Sequence, residues 1–414
     1  MVIYRAKEGD TVTQIARRHG VLPGRLCELN RITGDLPLIA GQALVIDAPS
    51  KSYYAKEGDT LRAIAAHHRI PLSTLKRKNP ALLGGEDIYT GMTITLADAE
   101  CPRGAISVLG YAAADTAPSD LLPILPYLTY LALVGATIDA CGRLSLCDDA
   151  TAIATARKAG VAPLLSLTPA AGVSEDHLFR RVLTANGRDE LADAICALVR
   201  GRGYGGVLLD IPFACPNAYG DYTALIARLR RRLGHGMAVL ATVSPLALPT
   251  EKGVLAALGR AANALVLSAY DFATRYGTPA PEAPYDRVKE ALAAIREEVR
   301  PQKLVLGLST RAEDFPVNGG TGRICAAADI DALARETGSR IAYDPVGRVP
   351  YLSYRDAEGD RIVFFEDAES FYEKLCLVAE EGIGGIALFP TVGAAQPLLS
   401  ALSLLYSTVR PYGC

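Results

Sequence analysis

Tryptophan is absent from this chain of 414 residues, and phenylalanine occurs only 8 times against 19 tyrosines. Any aromatic surface offered to a ligand is therefore built from tyrosine or phenylalanine rings, which are smaller than indole. Charge of one sign is missing too. The 43 basic and 45 acidic residues leave a formal net charge of −2, so no nucleic-acid or polyanion footprint is visible. No apolar run is long enough to span a bilayer, which takes about 18 residues or more, and no membrane partner is expected. The nine cysteines, at 27, 101, 141, 147, 196, 215, 325, 376 and 414, form no C-x-x-C pair. An odd, scattered set argues against both a disulfide framework and a zinc site, and no metal or other cofactor is expected. Most of these cysteines are expected to be small buried hydrophobes of a reducing compartment. The first residues show no charged segment followed by an apolar stretch, so no signal peptide is expected.

What the chain does contain is a repeat. Ala6–Thr11 (AKEGDT) recurs as Ala55–Thr60, Ile15-Ala16 as Ile64-Ala65, Tyr4 as Tyr53 and Asn30 as Asn79, each 49 residues apart. Gly41 and Gly91 are 50 apart, which places one inserted residue late in the second copy. Two copies of one small folding unit follow from this. Val2–Ala6 alternates as a strand, Glu8-Gly9-Asp10 turns, and Thr11 or Asp10 can cap a helix with Val12, Ile15 and Ala16 on one face. Leu22–Asn30 reads as a second helix opened by Pro23, and Gly41-Gln42 turns into a closing strand, Ala43–Asp47.

The Y-x-x-x-x-G-D-T opening, the Ile-Ala pair, the asparagine after the second helix and the G-x-x-[LI]-x-[IV] strand resemble the LysM domain in both copies. The resemblance implies a shallow groove for N-acetylglucosamine glycans such as peptidoglycan. In copy one it lies near Gly9, Asp10, Thr11, Asn30, Arg31 and Ile32. In copy two it lies near Gly58, Asp59, Thr60, Asn79 and Pro80. The same residues can also serve only as helix caps and turns. The resulting layout is one LysM module at 1–48, a second at 51–97, a linker at 98–104 and a large domain at 105–414. Two weak sites on one chain gain by effective concentration against a repeating polymer.

The remaining residues, about 310, suffice for one large α/β core. Ile106–Ala112, Tyr130–Val134, Ala162–Leu167, Gly206–Ile211, Ala238–Val243, Ala264–Ser268, Leu304–Leu308 and Gly385–Phe389 read as buried parallel strands. Helical segments such as Arg188–Arg200, Asp221–Leu233, Tyr285–Val299 and Asp367–Glu381 lie between them. The alternation predicts a (β/α)8 TIM barrel. An α+β insertion is expected at about 310–367, helical over Ala327–Thr337, with a hairpin Tyr351–Phe365 turned at Glu358-Gly359. In such barrels the chemistry sits at the strands' carboxyl ends. Those ends carry Tyr111, Thr168, Asp210, Ser244, Tyr270-Asp271 and Ser309-Thr310.

This set resembles glycoside hydrolase family 18, and more closely its spore cortex-lytic branch, in which LysM modules precede the barrel. Ser268-Ala269-Tyr270-Asp271 stands for M-x-Y-D. Lys303–Leu308 with Thr310 resembles the strand-seven motif, and Pro350-Tyr351, Tyr354, Gly359 and Phe365-Glu366-Asp367 match a further block. The resemblance implies Asp210 and Tyr270 as catalytic positions and Tyr111, Asp271 and Phe389 as substrate contacts. Strand four departs from it. The family's D-G-x-D-x-D-x-E, or in this branch G-V-N-I-D-F-E, ends in the general-acid glutamate, whereas this chain reads Gly205–Pro212, with Leu208 at the inner polar position and Pro212 at the acid. A proline ring has no proton to deliver, and loss of general acid–base help costs roughly 10²–10⁴-fold in rate. Asp271, Asp314 and Asp344 are possible stand-ins, each also readable as structural. The missing tryptophan is a second departure, since family clefts commonly place one at the end of strand eight, where Phe389 stands.

Two readings from different classes follow. The first is a non-catalytic spore-envelope protein that binds peptidoglycan with its LysM pair and keeps a degenerate barrel. It would be made in the cytoplasm, as in a sporulating mother cell, and deposited in the envelope. The alternative is an active β-N-acetylglucosaminidase cleaving cortex peptidoglycan during germination by a substrate-assisted retaining mechanism, with a proton donor from elsewhere. A protein-interaction barrel is the third possibility.

Overall fold

The computed structural model describes residues 1–33, 37–83, 88–98, 103–174, 177–178, 185–211, 219–248, 251–270, 272 and 276–411. Eight strands form the central sheet: Ala105–Ala113, Tyr130–Ile138, Ala162–Pro169, Gly206–Leu209, Ala238–Val243, Ala264–Leu267, Leu304–Ser309 and Gly385–Phe389. Each is parallel to its sequence neighbour, and the eighth returns to pair with the first, closing the (β/α)8 barrel. We call them barrel strands one to eight.

The closure follows from side-chain alternation. Inward positions carry Leu109, Ala132, Leu164, Leu208, Leu240, Val266, Val305 and Ala387, which pack into one interior cluster. Outward positions pack on the helices. Tyr219–Leu233 shows how a helix earns its place: Tyr222, Leu225, Ile226, Leu229 and Leu233 recur on one face and are buried, while Arg230, Arg231 and Arg232 sit in the last turn, where they complement the helix dipole. Burial of each such leucine contributes about 1.5–3 kcal/mol.

The insertion after strand seven is an α+β unit with more sheet than its sequence suggests. Five antiparallel strands run in the spatial order Arg323–Ala326, Arg311–Pro316, Gly359–Phe365, Val349–Asp356, Ile341–Asp344. The expected hairpin is present, turning after Asp356, and the expected helix runs over Ile330–Thr337 behind a short 3₁₀ turn at Ala327–Asp329.

Both N-terminal modules are strand–helix–helix–strand units. Copy one uses Val2–Arg5, Val12–His19, Pro23–Asn30 and Ala43–Ile46; copy two uses Pro49–Tyr54, Leu61–His67, Leu72–Lys78 and Thr93–Asp98. Asp98, expected to begin the linker, is thus the last residue of a strand. The modules are not beads on a string. Buried Arg25 of copy one bonds to the Lys78 carbonyl at 2.7 Å and faces Asp98 at 3.5 Å. Buried Arg77 of copy two bonds to the Pro126 carbonyl of the barrel at 2.8 Å. Copy one meets the insertion through Gln42–Asp331 (2.7 Å), Arg5–Asp367 (2.9 Å) and a backbone bond from Ile341 to Ala40 (3.0 Å). Asp367 does two things there, since it also caps the helix Ala368–Glu380 through Glu369 and Ser370. Gly41 is required at this junction: it has φ +89°, and a Cβ would lie 1.9 Å from the Ile341 carbonyl oxygen.

The cysteine expectation needs correction. Of the six free cysteines among the described residues, Cys196 alone is fully buried; Cys27, Cys325 and Cys376 are half-buried, and Cys141 and Cys147 are exposed. The last two lie in and after the short hairpin that extends strand two, where turn geometry rather than packing selects small residues.

Candidate functional site

Above the interior leucines, the next inward register position on several strands is polar or aromatic. Strand one supplies Tyr111, strand three Ser166, strand four is followed by Asp210, strand five supplies Thr242 and strand eight Phe389. Tyr270 follows strand six. Gly307 on strand seven makes room for it, because a Cβ there would come within 2.9 Å of the Tyr270 ring.

Tyr111, Tyr270 and Phe389 form one aromatic cluster. Phe389 meets Tyr111 edge-on at a centroid distance of 5.3 Å and stacks on Tyr270 at 5.4 Å with 13° between planes. Tyr111 is fully buried, and burial first, then the neighbouring Tyr270 and Asp210, push its phenol well above its ordinary range. Its hydroxyl lies beside Thr242 and Tyr270 but makes no well-aligned hydrogen bond. Thus Asp210, Tyr270, Tyr111 and Phe389 come together at the barrel mouth. Pro212 and Asp271 lie outside the described residues.

Two hydroxyls missed by motif reading add to this floor. Ser166 and Thr242 are buried, and neither makes a well-aligned hydrogen bond. Ser166 pairs in register with Leu208 of strand four. An orphaned buried hydroxyl costs about 1–3 kcal/mol, and here it sits in register with the position at which the family pattern carries an aspartate or, in the cortex-lytic branch, an asparagine. The signal was available: a lone polar residue at an inward position of an otherwise apolar strand.

Arg311 and Glu282 were also missed. The Arg311 guanidinium lies 5.5 Å from the centre of the Phe389 ring and is ion-paired to Glu282, with a second contact from Nε at 3.3 Å. Burial raises the Glu282 carboxyl to about 7, against the lowering effects of Arg311 and Ser309. Among the other strand ends, Ser244 caps a turn by accepting from the Leu246 amide at 3.2 Å, and the Thr310 amide bonds to the Phe389 carbonyl at 2.9 Å. Thr168 is half-buried.

Two of the three proposed stand-in acids, Asp314 and Asp344, are engaged elsewhere. Asp314 accepts from Arg323 (2.7 Å), Arg361 (2.8 Å) and Tyr354 (2.8 Å) inside the insertion. Asp344 accepts from the Val346 and Gly347 amides of a turn. Both carboxylates are thus held by partners within the insertion.

In the LysM modules, the repeated residues prove to be braces. Asp10 accepts from Tyr4 (2.7 Å) and the Lys7 amide (2.8 Å), and Asp59 does the same with Tyr53 and Lys56 (both 2.8 Å). The Lys7 backbone bond, then the Tyr4 hydroxyl, hold the Asp10 carboxyl below its ordinary range. Thr11 and Thr60 cap their helices. Asn30 gives its amide hydrogens to Leu26 and Val45 and accepts from the Val45 amide; Asn79 repeats this with Leu75 and Thr95. Both asparagines are buried, as is Pro80, and the asparagine side chains bond within their own modules. Gly9, Gly58, Arg31 and Ile32 remain at least partly open to solvent.

Comparison with known proteins agrees with this geometry. The LysM domain family matches residues 4–47 and 53–97, and the family described as glycosyl hydrolases family 18 matches residues 108–392. The cortical fragment-lytic enzyme of Bacillus anthracis is 26% identical over 408 residues, covering 93% of this chain and 94% of that protein. The crystal structure of the Bacillus cereus spore cortex-lytic enzyme SleL superimposes with a TM-score of 0.79 at 24% identity, covering 99% of both chains. The chitinase of Chromobacterium violaceum shares the fold at a TM-score of 0.65 and 22% identity, over 72% of this chain and 98% of that one. With tandem LysM domains ahead of its barrel and a homologue among the spore cortex-lytic enzymes, the chain belongs to glycosyl hydrolase family 18.

Proposed function

We propose that the protein binds the N-acetylglucosamine glycan of spore peptidoglycan and that its barrel has lost most of the family's hydrolytic power. The observation that carries this is strand four. Pro212 stands where the family delivers a proton, and Leu208 stands where it tunes Asp210, opposite a Ser166 hydroxyl with no partner. Asp210 and the Tyr270 phenol can still orient an acetamide, but protonation of the leaving sugar oxygen has no donor at the family position. The names of the relatives, a cortical fragment-lytic enzyme and a sporulation-specific glycosylase, point to cortex as the glycan and to sporulation as the setting.

Release of reducing sugar from cortex fragments tests the reading. Wild type is expected at the buffer level, and Pro212→Glu, alone or with Leu208→Asp, to raise it. Robust turnover by the wild type overturns the proposal.

A second reading, an active glucosaminidase, is favoured by one observation: a glutamic acid raised to about 7 beside the Phe389–Arg311 pair. It requires that Glu282→Gln abolish whatever turnover the wild type shows, and that Asp210→Asn do the same.

A further inference from the structure

The two LysM copies present the same face to different surroundings. In copy one that face consists of Arg5, at the end of the first strand, and Ile39–Gln42, in the turn before the last. Ile39 is 7% exposed and packs with Ala312, Ile330, Ala334 and Ile341 in the insertion's own core. Arg5 bonds to the Gly41 carbonyl at 2.7 Å, pairs with Asp367 and Glu369, and lies 4.3 Å from the centre of the Tyr343 ring. Arg31, from the expected groove, lines a cleft together with Gln42, Asp331 and Gln396. Copy one is thereby a bracket between the insertion and the barrel helices.

The repeat offset puts Tyr54 at the Arg5 position and Tyr89 at the Ile39 position. Tyr54 is 68% exposed and Tyr89 69% exposed. Their backbones lie at the same end of the two-stranded sheet. Tyr54 pairs with Thr93, and the turn closes through Met92 to Tyr89 (3.0 Å) and Gly91 to Ala55 (2.8 Å). In copy one the side chain at the Tyr54 position reaches this same turn, through the bond from Arg5 to Gly41. Two phenol rings held this open are costly to hydrate and well suited to the C–H faces of a pyranose, with hydroxyls at the rim for polar substituents.

We infer that Tyr54 and Tyr89 form an aromatic platform on the second module that stacks on consecutive N-acetylhexosamine rings, while the matching face of the first module serves to hold the fold together. The inference rests on the proposed glycan binding and names the surface responsible. Copy one cannot offer the platform, because the insertion covers that face and its residues are an arginine and an isoleucine.

The full-length protein, with Tyr54→Ala, Tyr89→Ala and both together, is titrated with chitohexaose and sedimented with purified peptidoglycan sacculi. The double variant is expected to bind both about tenfold more weakly or worse, Tyr→Phe at both positions to keep most of the affinity, and the melting temperature to stay at its wild-type value. Binding by the double variant within twofold of wild type overturns the platform while leaving the proposed function standing. A wild type that binds neither ligand overturns both. Loss on sacculi with unchanged chitohexaose binding assigns the face to stem peptides and overturns ring stacking. Wild-type self-association in sedimentation velocity, lost in the double variant with glycan binding intact, assigns the face to a second copy of the chain and also overturns it.

Discussion

The LysM turns and barrel strand four are both carbohydrate motifs by descent, and they have met different fates for a physical reason. In the LysM modules, the repeated aspartates and asparagines hold up the fold: Asp10 and Asp59 fix the first turn, and Asn30 and Asn79 tie the second helix to the last strand. None can be lost cheaply, so an intact motif there reports folding before it reports binding. Strand four is the reverse. Its family acids serve chemistry alone, and Leu208 packs among Leu164, Leu240 and Val266 where a carboxylate would need a partner. Leu208 leaves the neighbouring Ser166 hydroxyl without a hydrogen bond among the described residues. An intact motif therefore says less about LysM function than a lost one says about the barrel.

The sharpest way to break this contrast is to put the acid back. Leu208→Asp is expected to destabilise the protein by roughly 3–5 kcal/mol in urea unfolding, less whatever a bond to Ser166 returns. Ser166→Ala is expected to raise stability by up to about 1 kcal/mol, since it removes a buried hydroxyl that has no partner. A Leu208→Asp protein as stable as wild type would mean that strand four tolerates a carboxylate there, and the contrast would fall. Asn79→Ala comes next. It strips three buried hydrogen bonds at once and is expected to cost about 3 kcal/mol, read as loss of amide-exchange protection over residues 49–98 before the barrel opens. Exchange that stays at wild-type rates would make Asn79 a ligand contact and not a brace.

A smaller effect tests the mouth. The Glu282 carboxyl is raised from its ordinary 4.5 to about 7 by burial, so over that window the folded state holds a proton that the unfolded chain has released. Stability is greatest below about pH 4.5 from this group and falls as pH climbs through about 7. Glu282→Gln is expected to flatten the slope of melting temperature against pH between those values; an unchanged slope would place the titration elsewhere.

The barrel was legible because buried parallel strands are written as short apolar runs. Gly206–Leu209 and Ala264–Leu267 are Gly-Val-Leu-Leu and Ala-Leu-Val-Leu, and no helix period competes with them. The insertion was only half legible. Strands such as Arg311–Pro316 and Arg323–Ala326 carry charges that read as loop, because the Asp314–Arg323–Arg361 network that pairs them joins distant segments. The Glu282–Arg311 pair was invisible for the same reason: its members are 29 residues apart in different elements. The repeat itself misled, since it implied two equivalent modules. Arg5 against Tyr54 and Ile39 against Tyr89 look like drift until one face is seen packed and the other open.

The smallest prediction returns to the two copies. Thr11 accepts from the Gln14 amide while the Gln14 side chain accepts from the Thr11 amide, both at 3.2 Å, a reciprocal capping box. Thr60 keeps the first bond, to the Ala63 amide at 3.1 Å, but Ala63 has no side chain to return the second. Thr11→Ala should therefore cost more than Thr60→Ala, about 1 kcal/mol against somewhat less. Ala63→Gln should complete the second box and stabilise the module by a few tenths of a kcal/mol, about the size of one exposed cap bond. Denaturant midpoints of the three variants measure this. Equal losses at Thr11 and Thr60 would show that the bracketed copy draws its stability from the insertion and no longer from its own caps, and that the two modules differ in folding as much as in surface.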